Sequence, residues 1–165
     1  MSEKAKILFV DDEEAIRSLI LTVLEGDGHT AHGVGTAAEA VQAAGNTLYD
    51  LVVIDKNLPD GSGIDLLRDL KRKHPETEFM ILTGYPSLES AIEALRAGAF
   101  DYLIKPVLDL DLVTQKVSRA LERRRLLQQA YRGGDDPAGG GPDAAAQAQA
   151  LVRQAGALRA AVDGG

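Results

Sequence analysis

The 165-residue chain has no cysteine. That excludes a disulfide scaffold, a thiolate zinc site, an iron–sulfur cluster and a cysteine nucleophile. No apolar run reaches the roughly 18 residues that a membrane span requires. The opening segment MSEKAKILFVDDEE carries too short an apolar stretch for a secretory signal. There is no phosphate-binding GxxxxGK[ST] loop, and no glycine-rich turn follows the first apolar run. Positive charge is also short: 18 Lys and Arg stand against 25 Asp and Glu, a net charge of -7. Diffuse attraction to nucleic acid or anionic lipid is therefore not expected. These absences predict a cytoplasmic protein with no membrane insertion and no direct nucleic-acid contact.

What is present is globular in composition, with 45% apolar and 26% charged residues. The composition changes at residue 133. Residues 133–143 read GGDDPAGGGPD, a Gly/Asp/Pro-rich run that cannot build a core and is expected to be a flexible linker. Residues 144–165 form an Ala/Gln-rich tail, expected to be disordered or a short helix. Its Leu151, Ala155, Leu158 and Val162 would form one apolar stripe if helical. Residues 1–132 are left as the single folded domain.

That domain alternates strand and helix signals. KILFV (6–10), His29–Val34, Leu51–Ile54, Phe79–Leu82 and Phe100–Ile104 read as strands. Helical spacing follows each, as in Ile16, Leu19, Ile20, Val23 and Leu24. Thr36 with Glu39 forms a capping-box pattern, Ser87 caps a helix running to Ala97, and Gly98 stops it. A last helix is expected from about Asp109 to about Tyr131, beyond the apolar stripe of Leu112, Val113, Val117, Ala120 and Leu121. Its Arg123, Arg124 and Arg125 read as a solvated face near a helix C-terminus or as a partner helix. Five strand–helix units predict an α/β fold: a doubly wound parallel sheet covered on both faces. Ligands in such sheets sit at the carboxyl ends of the strands.

Chemistry-bearing residues collect at those ends. Strand one ends in Asp11 and Asp12, strand three in Asp55, strand four in Thr83 and Gly84, and strand five in Lys105 and Pro106. Two like charges ~4 Å apart repel by about 4 kcal/mol at an effective dielectric of ~20. Converging carboxylates therefore call for a counter-ion, and a hard divalent cation such as Mg2+ suits the donor set. Lys105 can supply a point charge to an anion, and Thr83 can donate a hydrogen bond. Together they read as a phosphoryl site with metal, acidic nucleophile and electrostatic clamp. Each residue alone has a plainer role, such as a helix N-cap for Asp11 and Asp12 or a turn residue for Asp55. Glu13 reads as a first-turn residue favoured by the helix dipole. Phe9, Phe79 and Phe100 are expected in the core. His29, His32 and His74 share no ligand spacing and are expected at the surface or a strand edge.

Over about residues 4–125 the chain resembles the receiver domain of two-component response regulators, of the chemotaxis or nitrogen-regulator type. The segments that carry the resemblance are KILFVDDEEAIRSLI, DLVVIDKNLPDGSGIDLL and FMILTGYPSLESAIEALRAGAFDYLIKP. The resemblance implies a flavodoxin-like receiver fold with strand order 2-1-3-4-5. It implies that Asp55 is the phosphoacceptor, that Asp11 and Asp12 hold Mg2+ with Asp55, and that Asn57 offers its backbone carbonyl. Thr83 and Lys105 match the switch hydroxyl and the phosphate-pairing lysine, and Gly84 would bind phosphate through its N–H. Tyr102 matches the aromatic that turns inward on activation, and the Lys105–Pro106 bond is typically cis. The implied partners are a sensor histidine kinase or histidine phosphotransfer protein and a downstream protein effector. A phosphorylation-dependent dimer through the fourth helix, fifth strand and fifth helix is also implied.

Pro59, Gly61 and Gly63 shape the loop after Asp55, where glycine is expected to supply positive φ. Tyr85 flanks the path of attacking water and is expected to shield an acyl phosphate. The primary expectation is a stand-alone receiver that is not an enzyme beyond its own phosphorylation and dephosphorylation. The alternatives are a receiver cut from a longer transcriptional regulator and a haloacid-dehalogenase-like phosphatase. Such a phosphatase would carry its nucleophile in an Asp-x-Asp pattern on the first strand.

Overall fold

The computed structural model describes residues 4–132. The expectations for 133–143 and 144–165 lie outside the described residues. Ten principal elements alternate: β1 (Lys6–Val10), α1 (Glu14–Gly26), β2 (Thr30–Val34), α2 (Ala37–Asn46), β3 (Leu51–Asp55), α3 (Gly63–Lys73), β4 (Glu78–Thr83), α4 (Leu88–Ala97), β5 (Asp101–Ile104) and α5 (Leu110–Arg132). The strands pair in parallel in the order β2-β1-β3-β4-β5. A minor ladder between β3 and α3 pairs Asn57–Leu58 antiparallel with Gly61–Ser62, where the sequence suggested only a turn.

Period-two alternation builds two apolar layers. Leu8, Val10, Val52, Ile54, Phe79 and Ile81 face α2, α3 and α4. Ile7, Phe9, Leu51, Val53, Met80 and Leu82 face α1 and α5. Because both faces are covered, the central strands read as unbroken apolar runs rather than as alternating ones. Phe9 and Phe79 are buried as expected. Phe100 is only partly buried and lies beneath the Arg123 guanidinium at 5.4 Å.

The helix ends show which local signals act. Ser87 and Ser90 form a reciprocal capping box at α4, and Gly98 ends that helix at φ 109. Thr36 accepts the Glu39 N–H at 3.1 Å, but the Glu39 carboxylate accepts a hydrogen bond from the Thr36 hydroxyl instead of returning to the backbone. The free N–H groups of Ala37 and Ala38 donate to Asp60 at 2.8 and 3.0 Å. Those two bonds hold the Asp60 carboxyl below the usual carboxylate range. They also tie α2 to the loop that follows β3.

Two expectations change. His29 is 5% exposed, not superficial, and its Nδ1 accepts the Ala5 N–H at 3.2 Å. Arg123 and Arg124 do not simply face solvent. Arg124 lies 2.9 Å from Asp50 and its Nε donates to the Glu76 carbonyl at 2.9 Å, while Arg123 lies 3.8 Å from the buried Glu78. These contacts fasten α5 across the amino end of the sheet. Burial pushes the Glu78 carboxyl up, and the cations of Lys71, Arg123 and Arg124 oppose that shift. Among the described residues no helix is long and apolar enough to cross a membrane.

Gly63 serves a purpose other than the expected one. It is not among the glycines with positive φ, whereas Gly61 is. A Cβ at position 63 would collide with the Asp55 carbonyl and meet Ile54 Cγ2 at 3.0 Å. Only glycine lets α3 start so close to the end of β3. Gly63→Ala should destabilise the fold by roughly 1–3 kcal/mol, as overpacking does. Urea denaturation reads this directly, and an unchanged midpoint would show that the backbone there yields without cost.

Candidate functional site

The strand registers bring the expected residues to one edge. Val10 lies opposite Ile54, Asp55 opposite Leu82, and Thr83 opposite Ile104. The ladder continues past the strand ends: Asp11 N–H donates to Val34, Lys56 N–H to Leu82 and Lys105 N–H to Thr83. Asp55 and Thr83, the last residues of β3 and β4, therefore lie at one sheet edge with Asp11 and Lys105, which follow β1 and β5.

Carboxylate oxygens of Asp11, Asp12 and Asp55 lie within 4.8 Å of one another. Asp11 is fully buried, Asp55 is 5% exposed and Asp12 faces solvent. Lys105 Nζ sits among the acids, 2.8 Å from Asp55 Oδ2, 2.9 Å from Asp11 Oδ2 and 3.1 Å from Glu13 Oε1. Burial alone would lower the Lys105 pKa, but the carboxylates of Asp55, Asp11 and Glu13 outweigh it and raise the value. Burial raises the Asp11 carboxyl, helped by the Asp55 charge and opposed by the Glu13 N–H and by Lys105. Lys105 is thus a fixed cation, and Asp11 is an acid held at an electrostatic cost.

Asp11 and Asp12 are not the N-cap of α1. That position belongs to Glu13, whose side chain makes no cap bond. Asp11 Oδ1 accepts the Glu13 N–H at 2.9 Å, which orients the carboxylate. Asp11 Oδ2 is buried and makes no aligned hydrogen bond, although the Lys105 ammonium is near it. A buried acceptor without a directed donor, beside two further carboxylates, fits a hard divalent cation such as Mg2+.

Thr83 is fully buried and its Oγ1 accepts the Tyr85 N–H at 3.1 Å. Gly84 is exposed and lies beside the Lys105 side chain. Asn57 is exposed, and its N–H donates to Asp55 Oδ1 at 3.1 Å. The Lys105–Pro106 bond is cis. Tyr102 is 5% exposed and already turned inward, with its hydroxyl 2.8 Å from Ser90 Oγ. The Tyr85 ring is 80% exposed and stands out in solvent instead of covering the crevice.

Sequence reasoning missed two contributors. Glu13 does more than favour the helix dipole: it is the third carboxylate on Lys105. Arg17 Nη1 donates to the Asp11 carbonyl at 2.7 Å. Its stem lies over Gly33, where any Cβ would meet Arg17 Cγ at 2.7 Å. A glycine inside β2 was the available signal, because it marks a close approach.

Mg2+ should raise the thermal midpoint, reaching the equivalent of about 2.7 kcal/mol at a hundredfold excess over its Kd. EDTA should reverse the gain, and Asp11→Asn or Asp12→Asn should blunt it. A shift no larger than that given by sodium chloride of matched ionic strength would rule out a metal site here.

With this geometry established, known proteins can be compared. A family model described as response regulator receiver domain matches residues 7–118. The response regulator protein PilR of Pseudomonas aeruginosa is 40% identical over 121 residues, 73% of this chain and 27% of its own length. The regulatory protein AtoC of Escherichia coli is 36% identical over 117 residues, 71% of this chain and 25% of its own. The chain thus spans about a quarter of the length of these curated relatives. NtrX from Brucella abortus superposes with a TM-score of 0.74 at 33% identity, over 78% of this chain and 30% of that one. A receiver domain protein from Clostridium thermocellum gives a TM-score of 0.70 at 36% identity, over 74% of this chain and 98% of its own. The chain belongs to the response regulator receiver domain family.

Proposed function

We propose that Asp55 accepts a phosphoryl group from a phosphohistidine of a sensor histidine kinase or histidine phosphotransfer protein. The observation that carries this reading is the Lys105 ammonium 2.8 Å from Asp55 Oδ2, beside the Asp11 and Asp12 carboxylates. An Asp55 oxygen attacks phosphorus in line, the P–N bond breaks, and the imidazole leaves. The product is an acyl phosphate on the chain itself. Lys105 and the Gly84 N–H hold the equatorial oxygens, and Thr83 Oγ1 leaves its Tyr85 contact to join them. Asp11, Asp12, Asp55 and the Asn57 carbonyl would hold Mg2+, which neutralises charge on the transferring group when bound. The chain catalyses only its own phosphorylation and dephosphorylation.

The output follows from Thr83. Its movement changes the packing offered to Tyr102, and the surface of α4, β5 and α5 changes with it. Phosphate biases that surface only through its differential interaction with the two forms. The altered face then binds a downstream protein effector or a second copy. A cytoplasmic location belongs to the same proposal, since a phosphohistidine donor and an effector of this kind would meet the chain there. A second reading, the receiver part of a longer transcriptional regulator, is supported by the greater length of PilR and AtoC.

Incubation with Mg2+ and acetyl phosphate, followed by mass mapping, should give one phosphoryl equivalent on Asp55 and none in Asp55→Asn. Full uptake by Asp55→Asn, or steady turnover of a generic phosphate ester, would overturn the proposal.

A further inference from the structure

Ser90 lies in the first turn of α4 and is 3% exposed. Its hydroxyl has one proton and two lone pairs. It donates to the Ser87 carbonyl at 3.1 Å and accepts the Ser87 N–H at 3.2 Å. The Ser87 hydroxyl is also near, at 2.9 Å. That hydroxyl and the Tyr102 hydroxyl, at 2.8 Å, both face the one acceptor position left on Ser90. If the tyrosine ring left, Ser90 would lose that partner in a buried place. The main chain of Tyr102 is pinned on both sides. Asp101 Oδ1 takes its N–H at 2.7 Å, and the Lys116 ammonium donates to its carbonyl at 2.8 Å. Movement at this position is therefore confined to the side chain.

We propose that Ser90 is a positioning residue for Tyr102. Its hydroxyl holds the ring inward before any phosphoryl group arrives, and ties the ring to the capping box that starts α4. The inference rests on the reading of Thr83 and Tyr102 as the switch and deepens it: the resting balance of the switch is set by a serine on α4. Because linkage is reciprocal, a bond that favours the inward ring also favours phosphoryl binding at Asp55. Ser90 touches neither the phosphoryl group nor the metal donors.

The test uses the full chain labelled with 3-fluorotyrosine, as the parent, Ser90→Ala, Ser90→Thr, Tyr102→Phe and the double variant Ser90→Ala/Tyr102→Phe. The Tyr102 fluorine signal, assigned by its loss in Tyr102→Phe, should move toward the signal of exposed Tyr85 in unmodified Ser90→Ala. Ser90→Thr, which keeps a hydroxyl, should restore it. Beryllofluoride affinity in the presence of Mg2+ should fall about fivefold in Ser90→Ala and in Tyr102→Phe, the worth of one net hydrogen bond, with no further fall in the double variant. A role in capping alone would lower the stability of Ser90→Ala equally in both backgrounds and leave the fluorine signal in place. That result, or losses that multiply in the double variant, would overturn the proposal. A parent that binds no beryllofluoride and accepts no phosphoryl group would refute the phosphoacceptor reading instead, while the fluorine comparison would still decide the role of Ser90.

Discussion

The Lys105 ammonium among three carboxylates is the interaction around which this edge of the molecule is organised. Asp11, Asp12 and Asp55 repel one another, and two of the three are buried. One lysine cannot neutralise them, so the free site retains excess negative charge. Two apolar layers, packed on either face of the sheet, hold the strand ends in register against that repulsion. The fold thus keeps in place an arrangement that its local electrostatics oppose. A divalent cation would relieve the excess charge, and in the proposed phosphotransfer Lys105 would hold the new anion. The cation would reduce the excess negative charge and the proposed phosphoryl group would add to it, so the two would be expected at the site together.

Rigidity around the crevice comes from contacts that reach it from behind. Arg17 holds the Asp11 carbonyl while the Glu13 N–H holds Asp11 Oδ1, so the aspartate is fixed by its main chain and its side chain. Asp60 ties the loop after β3 to the start of α2. Gly63 brings the start of α3 against the Asp55 carbonyl. The ammonium and carboxylate contacts within the crevice differ in kind, since a cation or a phosphoryl oxygen can replace them. Fixed main chain with exchangeable side-chain partners is what group transfer onto a side chain requires.

The parts that were legible in the sequence share a local signature. β1, β3 and β4 were legible because strands buried on both faces are unbroken apolar runs. The bounds of α4 were legible because Ser87 and Gly98 act within one turn of their own helix. Asp11, Asp12, Asp55, Thr83 and Lys105 were legible because topology predicts where strand ends meet. The contributors that were missed depend on pairs that no spacing encodes. Glu13 meets Lys105 across 92 residues, and Arg124 meets Glu76 across 48. His29 is buried because it closes the N-terminal segment against β2, and a histidine at a strand start carries no mark of that. Ser90 was hidden for another reason. Ser87 accounted for the cap alone, and nothing in the sequence shows that the reciprocal partner also faces Tyr102.

In the proposed switch, communication to the α4 face would pass between β4 and β5, where the main chain leaves little freedom. Thr83 lies opposite Ile104, and Ile81 opposite Tyr102, in a continuous parallel ladder. Lys105 N–H extends that ladder to Thr83. A shift of either strand would break several backbone bonds to move one hydroxyl, so a main-chain route is the costlier one. Side chains give a cheaper route. Thr83 Oγ1 holds the Tyr85 N–H, and under the proposed phosphotransfer it would turn to a phosphoryl oxygen and alter the space offered to the Tyr102 ring. Tyr102 ends on Ser90, at the point where α4 begins. The proposed signal would therefore be a change of hydrogen-bond partners within an almost stationary sheet. Its amplitude at the surface would then depend on how firmly the first turn of α4 leans on one tyrosine hydroxyl.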